Sequence, residues 1–206
     1  MTDLRALKSR QLDALREVAN MGAGHAATAL SQMTGSRIMI SVPTITIARL
    51  DDVVAELGDS EAPMAAVLMQ MTGDLTGRTM LLFPQATAER LATMMLRHHP
   101  EPSTGFGELE QSAIKEAGNI LSGAYLNALS DFLGLMLLPS PPSLAMDMAA
   151  AILTSVYVQF ATDRDRVVAV ETEFLLDDRE ERLRGIFLML PDDASLQLIL
   201  RAVGGA

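Results

Sequence analysis

The chain contains no cysteine and no tryptophan. Disulfide bonds, thiolate metal ligands and thiol nucleophiles are therefore excluded together. The three histidines, His25, His98 and His99, do not stand at a metal-ligand spacing such as HExxH. We expect a chain that holds no metal ion or other cofactor through ligands of its own.

Basic charge is also scarce, since 16 lysine and arginine residues stand against 26 acidic ones and the net charge is -10. This balance argues against binding to the phosphate backbone of a nucleic acid. No run of about 18 apolar residues is present for membrane insertion, and the N-terminal stretch is charged where a secretory signal is apolar. We predict a cytoplasmic protein whose partner is another protein.

The hydrophobic residues, which make up 49% of the 206, suffice for a packed core. Their spacing of three and four predicts a helix over residues 9–33 with one buried face, made of Leu12, Leu15, Ala19, Ala23, Ala26 and Leu30. The following patterns predict a strand at 37–48, a short helix at 50–58, a hairpin at 64–84 and a helix at 85–97.

The second half of the chain repeats the first. A second long helix is predicted at 107–132, and a shift of 99 positions aligns it with the first, with seven of nineteen positions identical. Two of the only three asparagines, Asn20 and Asn119, become equivalent, whereas Asn127 does not. Further on, GRTMLLFP resembles RGIFLMLP at an offset of 107, which pairs Pro84 with Pro191.

This duplication predicts an α+β fold in a single domain covering residues 1–206. Repeat 1 spans about 9–97, repeat 2 spans about 107–203, and the connector between them is about 98–106. Each repeat is a helix, strands and a further helix, related by pseudo-symmetry. We expect one antiparallel sheet with the two long helices exposed on one side.

Both long helices carry the same polar set, which is Asp13, Glu17, Asn20 and Pro43 in the first repeat and Ser112, Glu116, Asn119 and Pro142 in the second. Positions i, i+4 and i+7 of a helix project from one stripe. Gly24 and Gly123 continue the stripe, and each either lets a partner backbone approach or serves helix packing. A single Glu-x2-Asn pair would most simply be a solvated helix face, but the whole pattern occurs twice.

The pattern [Asp/Ser]-x3-Glu-x2-Asn-x22-Pro resembles the signature of the CheC/CheX/FliY family of chemotaxis phosphatases. The resemblance covers essentially the whole chain, and two sites on about 200 residues are typical of the CheC-type members. Ala19 is a departure, because the family commonly has glycine beside the asparagine, as Gly118 is in the second repeat. Ala19 is on the predicted buried face, so we expect it to affect packing more than chemistry.

The resemblance implies hydrolysis of the aspartyl phosphate of the response regulator CheY, with Mg²⁺ bound to that phosphorylated partner. Asn20 and Asn119 would each orient the attacking water, and Glu17 and Glu116 would pair with the regulator's lysine. Asp13 and Ser112 would support this helix face. Pro43 and Pro142, which lack a backbone donor, would lie at a strand edge or bulge and shape the wall of each site.

Two other functions stay open at this stage. The resemblance also implies a complex with the receptor deamidase CheD, in which the chain would act as a non-catalytic regulator that sequesters or inhibits that enzyme. No sequence motif marks a surface for CheD. A flagellar-switch scaffold is a weaker alternative.

Overall fold

The computed structural model describes residues 9–41, 44–49, 61–97, 106–160, 166–176 and 181–204. Its helices are α1 (Ser9–Thr34), α2 (Gln85–Leu96), α3 (Glu108–Leu133), α4 (Ala149–Phe160) and α5 (Asp193–Gly204). Its strands are β1 (Ile38–Ile40), β2 (Thr44–Arg49), β3 (Pro63–Gly73), β4 (Gly77–Pro84), β5 (Leu137–Pro139), β6 (Ser143–Met148), β7 (Arg166–Leu176) and β8 (Glu181–Pro191). The predicted helix at 50–58, Pro43 and residues 98–105 of the connector lie outside the described residues.

The eight strands form one antiparallel sheet in the order β1-β7-β8-β4-β3-β5, with β2 also paired to β7 and β6 also paired to β3. The hairpin predicted at 64–84 is β3 and β4. At the centre of the sheet β4 from the first half pairs with β8 from the second. Both halves therefore contribute to one sheet, which confirms the predicted α+β class.

The two halves of the chain have matching elements. Helices α1 and α3, strands β1 and β5, and strands β2 and β6 each start and end 99 positions apart, the shift found in the sequence. The offset of 107 is wrong for the central strands, because it equates Leu81 with Leu188, and these residues face opposite sides of the sheet. Phe187, one position before Leu188, lies on the same side of the sheet as Leu81, because a shift of one residue exchanges the two faces of a strand.

The core has two parts, one on each face of the sheet. Along β3, Ala65 and Val67 belong to the cluster that includes the long helices, whereas Met64 and Ala66 belong to the cluster that includes α4. All four are buried. Side chains that alternate in this way and are buried on both sides are expected of a strand covered on both faces. The long helices therefore pack on an apolar face of a sheet that is held from both sides.

Tyr125 joins the two long helices to the sheet. A Cβ on Gly22 would lie 2.7 Å from Tyr125 Cδ1, so α1 approaches α3 closely only because residue 22 is glycine. The Tyr125 ring stacks on Phe187 with its centroid 4.9 Å away. Its hydroxyl forms a 2.8 Å hydrogen bond with Thr172. This buried junction holds the helices in place.

Both long helices end in the same way. Gly35 and Gly134 follow their last turns with φ of 70° and 64°, the left-handed conformation that glycine adopts at little cost. Ser31 then ties the end of α1 to the next strand, because Ile38 N donates to Ser31 Oγ at 2.9 Å. Ser130, its equivalent in α3, donates to the Leu135 carbonyl. No helix in the described part of the chain is long and apolar enough to cross a membrane.

Candidate active site

The polar stripe predicted on α1 is exposed. Five residues predicted for the buried face, Leu15, Ala19, Ala23, Ala26 and Leu30, are at most 4% exposed. Asp13, Glu17, Asn20 and Gly24 are all exposed. The buried face anchors the helix to the core, and the Glu-Asn pair is therefore presented to solvent on a rigid element.

The second long helix has the same arrangement. Ser112 and Glu116 on α3 are exposed, and Asn119 and Gly123 are partly exposed. The buried residues of this helix are Ala113, Ile114, Ala117, Gly118, Leu121, Ser122, Tyr125, Leu126, Ala128 and Leu129. The structure therefore brings the three polar positions and the glycine onto one open face of each helix.

The two sites differ at their first polar position. Asp13 Oδ1 accepts a 3.0 Å hydrogen bond from Arg16 Nη1, which also makes an exposed ion pair. The second site has Ser112 and Lys115 at these positions, so a hydroxyl replaces the carboxylate of the first site there. An exposed pair of this kind contributes about 0 to 1 kcal/mol to stability.

The side chains proposed for chemistry have no partners among the residues that the structure describes. The side chains of Glu17, Asn20, Glu116 and Asn119 form no hydrogen bond or ion pair within those ranges. Each carboxylate and amide is thus available to another molecule. An amide has two donors and an acceptor, and a carboxylate accepts charge-assisted hydrogen bonds from a cation. The pair can bind and orient groups, but the amide cannot take up a proton.

Gly24 and Gly123 face open space. A Cβ built on either residue meets no described atom within 4 Å. Close packing between helices, the alternative considered for these glycines, is therefore seen at neither position in the described structure. It is seen instead at Gly22, which sequence reasoning missed although glycine inside a helix was the available signal.

Pro142 lies at a β-bulge on the edge of the sheet. Ser140 N donates to Gln70 O at 2.9 Å, and Ser143 is paired with Leu68. Pro141 and Pro142 therefore stand together opposite one residue of β3, Met69, which defines a bulge. This is the position expected of a proline without a backbone donor.

The charged side chains of the two sites are Asp13, Arg16, Lys115 and the two glutamates. Within the described ranges no three His, Asp or Glu side chains are grouped to hold a metal ion. Beneath the long helices, burial raises the pKa of the Tyr125 hydroxyl, and its hydrogen bond to Thr172 acts in the other direction. Tyr125 is thus neutral across the physiological range and has a structural place below the exposed faces.

Comparison with known proteins matches both of these regions. The model of the CheC-like family matches residues 11–47 and 109–146, which include nearly all of both long helices. The chain is 32% identical to the CheY-P phosphatase CheC of Bacillus subtilis over 208 residues, which covers 100% of both chains. It is 28% identical to the flagellar motor switch phosphatase FliY of the same organism over 142 residues, covering 66% of this chain and 35% of FliY.

A solved structure has the same fold. The crystal structure of Thermotoga maritima FliY superposes with a TM-score of 0.76 at 23% identity, covering 97% of this chain and 98% of the other. Identity over the full length, the two matched segments and the shared architecture agree with one another. The chain belongs to the CheC-like family.

Proposed function

We propose that this chain accelerates hydrolysis of the aspartyl phosphate of the response regulator CheY, at one site on each long helix. The observation that carries the proposal is the duplicated Glu-Asn pair, exposed on two helices whose opposite faces are buried. The full-length relative named CheY-P phosphatase CheC supports the same activity. The reaction takes place on the partner, which carries the phosphorylated aspartate.

The asparagines act by orientation. Phosphoryl transfer needs alignment of the attacking oxygen and neutralisation of charge, and Mg²⁺ on the phosphorylated partner supplies much of the second. Asn20 or Asn119 enters beside the acyl phosphate, and its amide holds a water molecule in line with the bond that breaks. The water oxygen bonds to phosphorus, the aspartyl carboxylate leaves, and the proton passes to phosphate or solvent.

The glutamates act by docking. Glu17 and Glu116 lie three residues before the asparagines, on the same side of each helix. Each pairs with the lysine beside the phosphorylated aspartate of the regulator, which fixes the partner and draws that cation away from the phosphoryl group. Gly24 and Gly123 leave room for the partner's backbone.

The remaining site residues support these roles. Asp13 and Ser112 position the helix face, and Pro43 and Pro142 shape the wall of each site. We further propose that residues 9–97 and 107–203 are the two units of the duplication within one domain, joined by residues 98–106. The chain works in the cytoplasm on a protein substrate, without nucleic acid, membrane insertion or a metal ion of its own.

The complex with CheD stays a prediction from the family resemblance. Co-purification of the two proteins at micromolar concentration tests it, and absence of a complex would count against a regulatory role. This test is independent of the phosphatase activity, since a regulator that sequesters an enzyme needs no Asn-oriented water.

The phosphatase proposal is tested by phosphate release from CheY phosphorylated in advance. Addition of this chain in substoichiometric amount should shorten the lifetime of the phosphate. The variant Asn127→Ala is a matched control, because Asn127 is exposed on α3 but lies outside the repeated pattern. It should retain full activity. If the wild-type chain leaves the lifetime unchanged, the proposal is wrong.

A further inference from the structure

Helix α3 contacts the sheet directly at Gly118, the residue before Asn119. A Cβ on Gly118 would lie 2.5 Å from Val67 Cγ1, 2.7 Å from Val67 Cβ and 2.8 Å from Val67 Cγ2. Val67 is completely buried in the central sheet, so it has no room to give way. Gly118 thus allows an approach of α3 to β3 that no other residue permits.

The equivalent contact in the first repeat is looser. Val67 of β3 pairs with Leu144, and Val170 of β7 pairs with Ile45. Ile45 and Leu144 are equivalent by the shift of 99, so their partners Val170 and Val67 are also equivalent. Above Val170 the residue equivalent to Gly118 is Ala19, and Ala19, Val170 and Ile45 line an apolar cavity of about 40 Å³ that Tyr125, Leu126 and Leu129 of α3 also line. At this point α1 carries the methyl group of Ala19 toward the sheet, whereas α3 has the hydrogen of Gly118.

We infer that Gly118 is a positioning residue for Asn119, and that the two sites are therefore unequal, with the Asn119 site the faster. The inference rests on the proposed function. Orientation of a water molecule depends on the position of the amide to a fraction of an ångström, and a misplacement of about 1 Å can cost up to about 100-fold in rate. Gly118 brings α3 into close contact with Val67 next to Asn119, whereas at the equivalent place α1 meets the sheet at Ala19, beside a cavity.

The first part of the test compares proteins with one site each. Asn119→Ala leaves the first site and Asn20→Ala leaves the second. We expect Asn20→Ala to retain the larger part of the wild-type kcat for CheY-phosphate. Equal activities, or a more active first site, would overturn the inequality.

The second part adds Gly118→Ala to the Asn20→Ala protein. We expect kcat to fall about 10-fold with KM nearly unchanged, because the amide is displaced. Val67→Ala removes two of the three clashing carbons and should restore much of the loss, as a coupled pair in a double-mutant cycle. Val67→Ala is also measured alone, so that the coupling is separated from its own effect.

Gly185→Ala is the matched control, in the same Asn20→Ala background. Its Cβ would lie 2.8 Å from Phe83 Cε1, so it overpacks the core by a similar amount, but its near neighbours Phe83 and Phe174 belong to strands and not to a site helix. It should lower stability and leave kcat of the folded protein unchanged. An equal loss in the Gly185 and Gly118 variants, or a loss that Val67→Ala does not relieve, would overturn the positioning role.

The results that overturn the inference differ from the result that overturns the proposed function. The proposed function fails if a protein that lacks both asparagines still accelerates hydrolysis. If Gly118→Ala does not fold, the variant that combines it with Val67→Ala and the comparison of the single-site proteins still decide the question. Circular dichroism and urea unfolding identify which variants are folded.

Discussion

Tyr125 Oη lies 2.8 Å from Thr172 Oγ1, and this hydrogen bond is buried between α3 and β7. Tyr125 is 5% exposed and Thr172 is 2% exposed, so water cannot easily replace either partner. The bond connects the helix of the second site to the sheet at the point where the two long helices meet. It is therefore a sensitive point for the stability of the helix pair.

Tyr125→Phe should lower the free energy of unfolding by about 1 to 2 kcal/mol, because it leaves the Thr172 hydroxyl buried without this partner. Urea unfolding measures the change. The double variant Tyr125→Phe with Thr172→Val should lose less than the sum of the single losses, since both polar groups are then removed. Strict additivity would contradict the pairing.

A second prediction concerns acid stability. Asp192 caps the start of α5, where Oδ1 accepts a 2.8 Å hydrogen bond from Ser195 N and Oδ2 accepts one from the Thr76 hydroxyl. Burial alone would raise the pKa of Asp192, but hydrogen bonds from Thr76, Ser195 and Ala194 outweigh it and hold the pKa below its usual value of 3.8.

As pH falls, the unfolded Asp192 takes up its proton first. Its contribution to stability is therefore complete above the usual pKa and is lost as pH falls through the lower folded pKa. Asp192→Ala should cost about 1 kcal/mol near neutral pH, and the difference from wild type should shrink near pH 3. Urea midpoints at both pH values test this, and a constant difference would contradict the titration.

A third prediction separates docking from chemistry. Glu17→Gln combined with Glu116→Gln should raise KM for CheY-phosphate about 10-fold, since the lost charge-assisted contact is worth about 1.5 kcal/mol. Steady-state phosphate release measures KM and kcat. Asp131→Asn removes one exposed charge from α3 outside the pattern and should change neither. A fall in kcat at constant KM would assign the glutamates to the chemical step instead.

A fourth prediction concerns the exposed glycines. Gly24→Ala and Gly123→Ala should each stabilise the protein, by up to about 1 kcal/mol, because alanine is the better helix former and the added Cβ meets nothing. The same variants should raise KM, because the methyl group enters the docking face. Unfolding and kinetic measurements on the same preparations test both parts. Full activity in Gly24→Leu would show that the partner does not approach there.

Much of the helical structure could be predicted from periodicity. The first long helix was predicted at 9–33 and is Ser9–Thr34, and the second was predicted at 107–132 and is Glu108–Leu133. Five of the six residues assigned to the buried face of α1 are buried, and Leu12 is the sixth, whose burial the structure does not describe. The 3.6-residue period is strong over 26 residues, so one face could be identified.

The sheet was harder to predict. The single strand expected at 37–48 is two strands, because β1 and β2 pair with β7 in registers one residue apart. The central pairing of β4 with β8 joins residues more than 100 positions apart, and no local pattern encodes it. The offset of 107 came from aligning Pro84 with Pro191. The correspondence between β4 and β8 is decided instead by which residues are buried on each face of the sheet.

The polar residues of the candidate site could be predicted from the sequence, but the contacts of the helix residues around them could not. Spacing placed Asp13, Glu17 and Asn20 on one stripe, and the structure leaves that stripe exposed. Sequence alone could not distinguish Gly118, which lies in close contact with Val67, from Gly123, which faces open space. Both are glycines inside one helix, and only the position of the sheet beneath them separates their roles.

The measurement that tests the central claim most directly is phosphate release from CheY-phosphate by Asn20→Ala combined with Asn119→Ala. Both side chains are exposed or partly exposed, and alanine is the better helix former, so the variant should be as stable as wild type in urea. It should leave the lifetime of the phosphate at its value without added protein. Accelerated hydrolysis by this folded double variant would contradict the account.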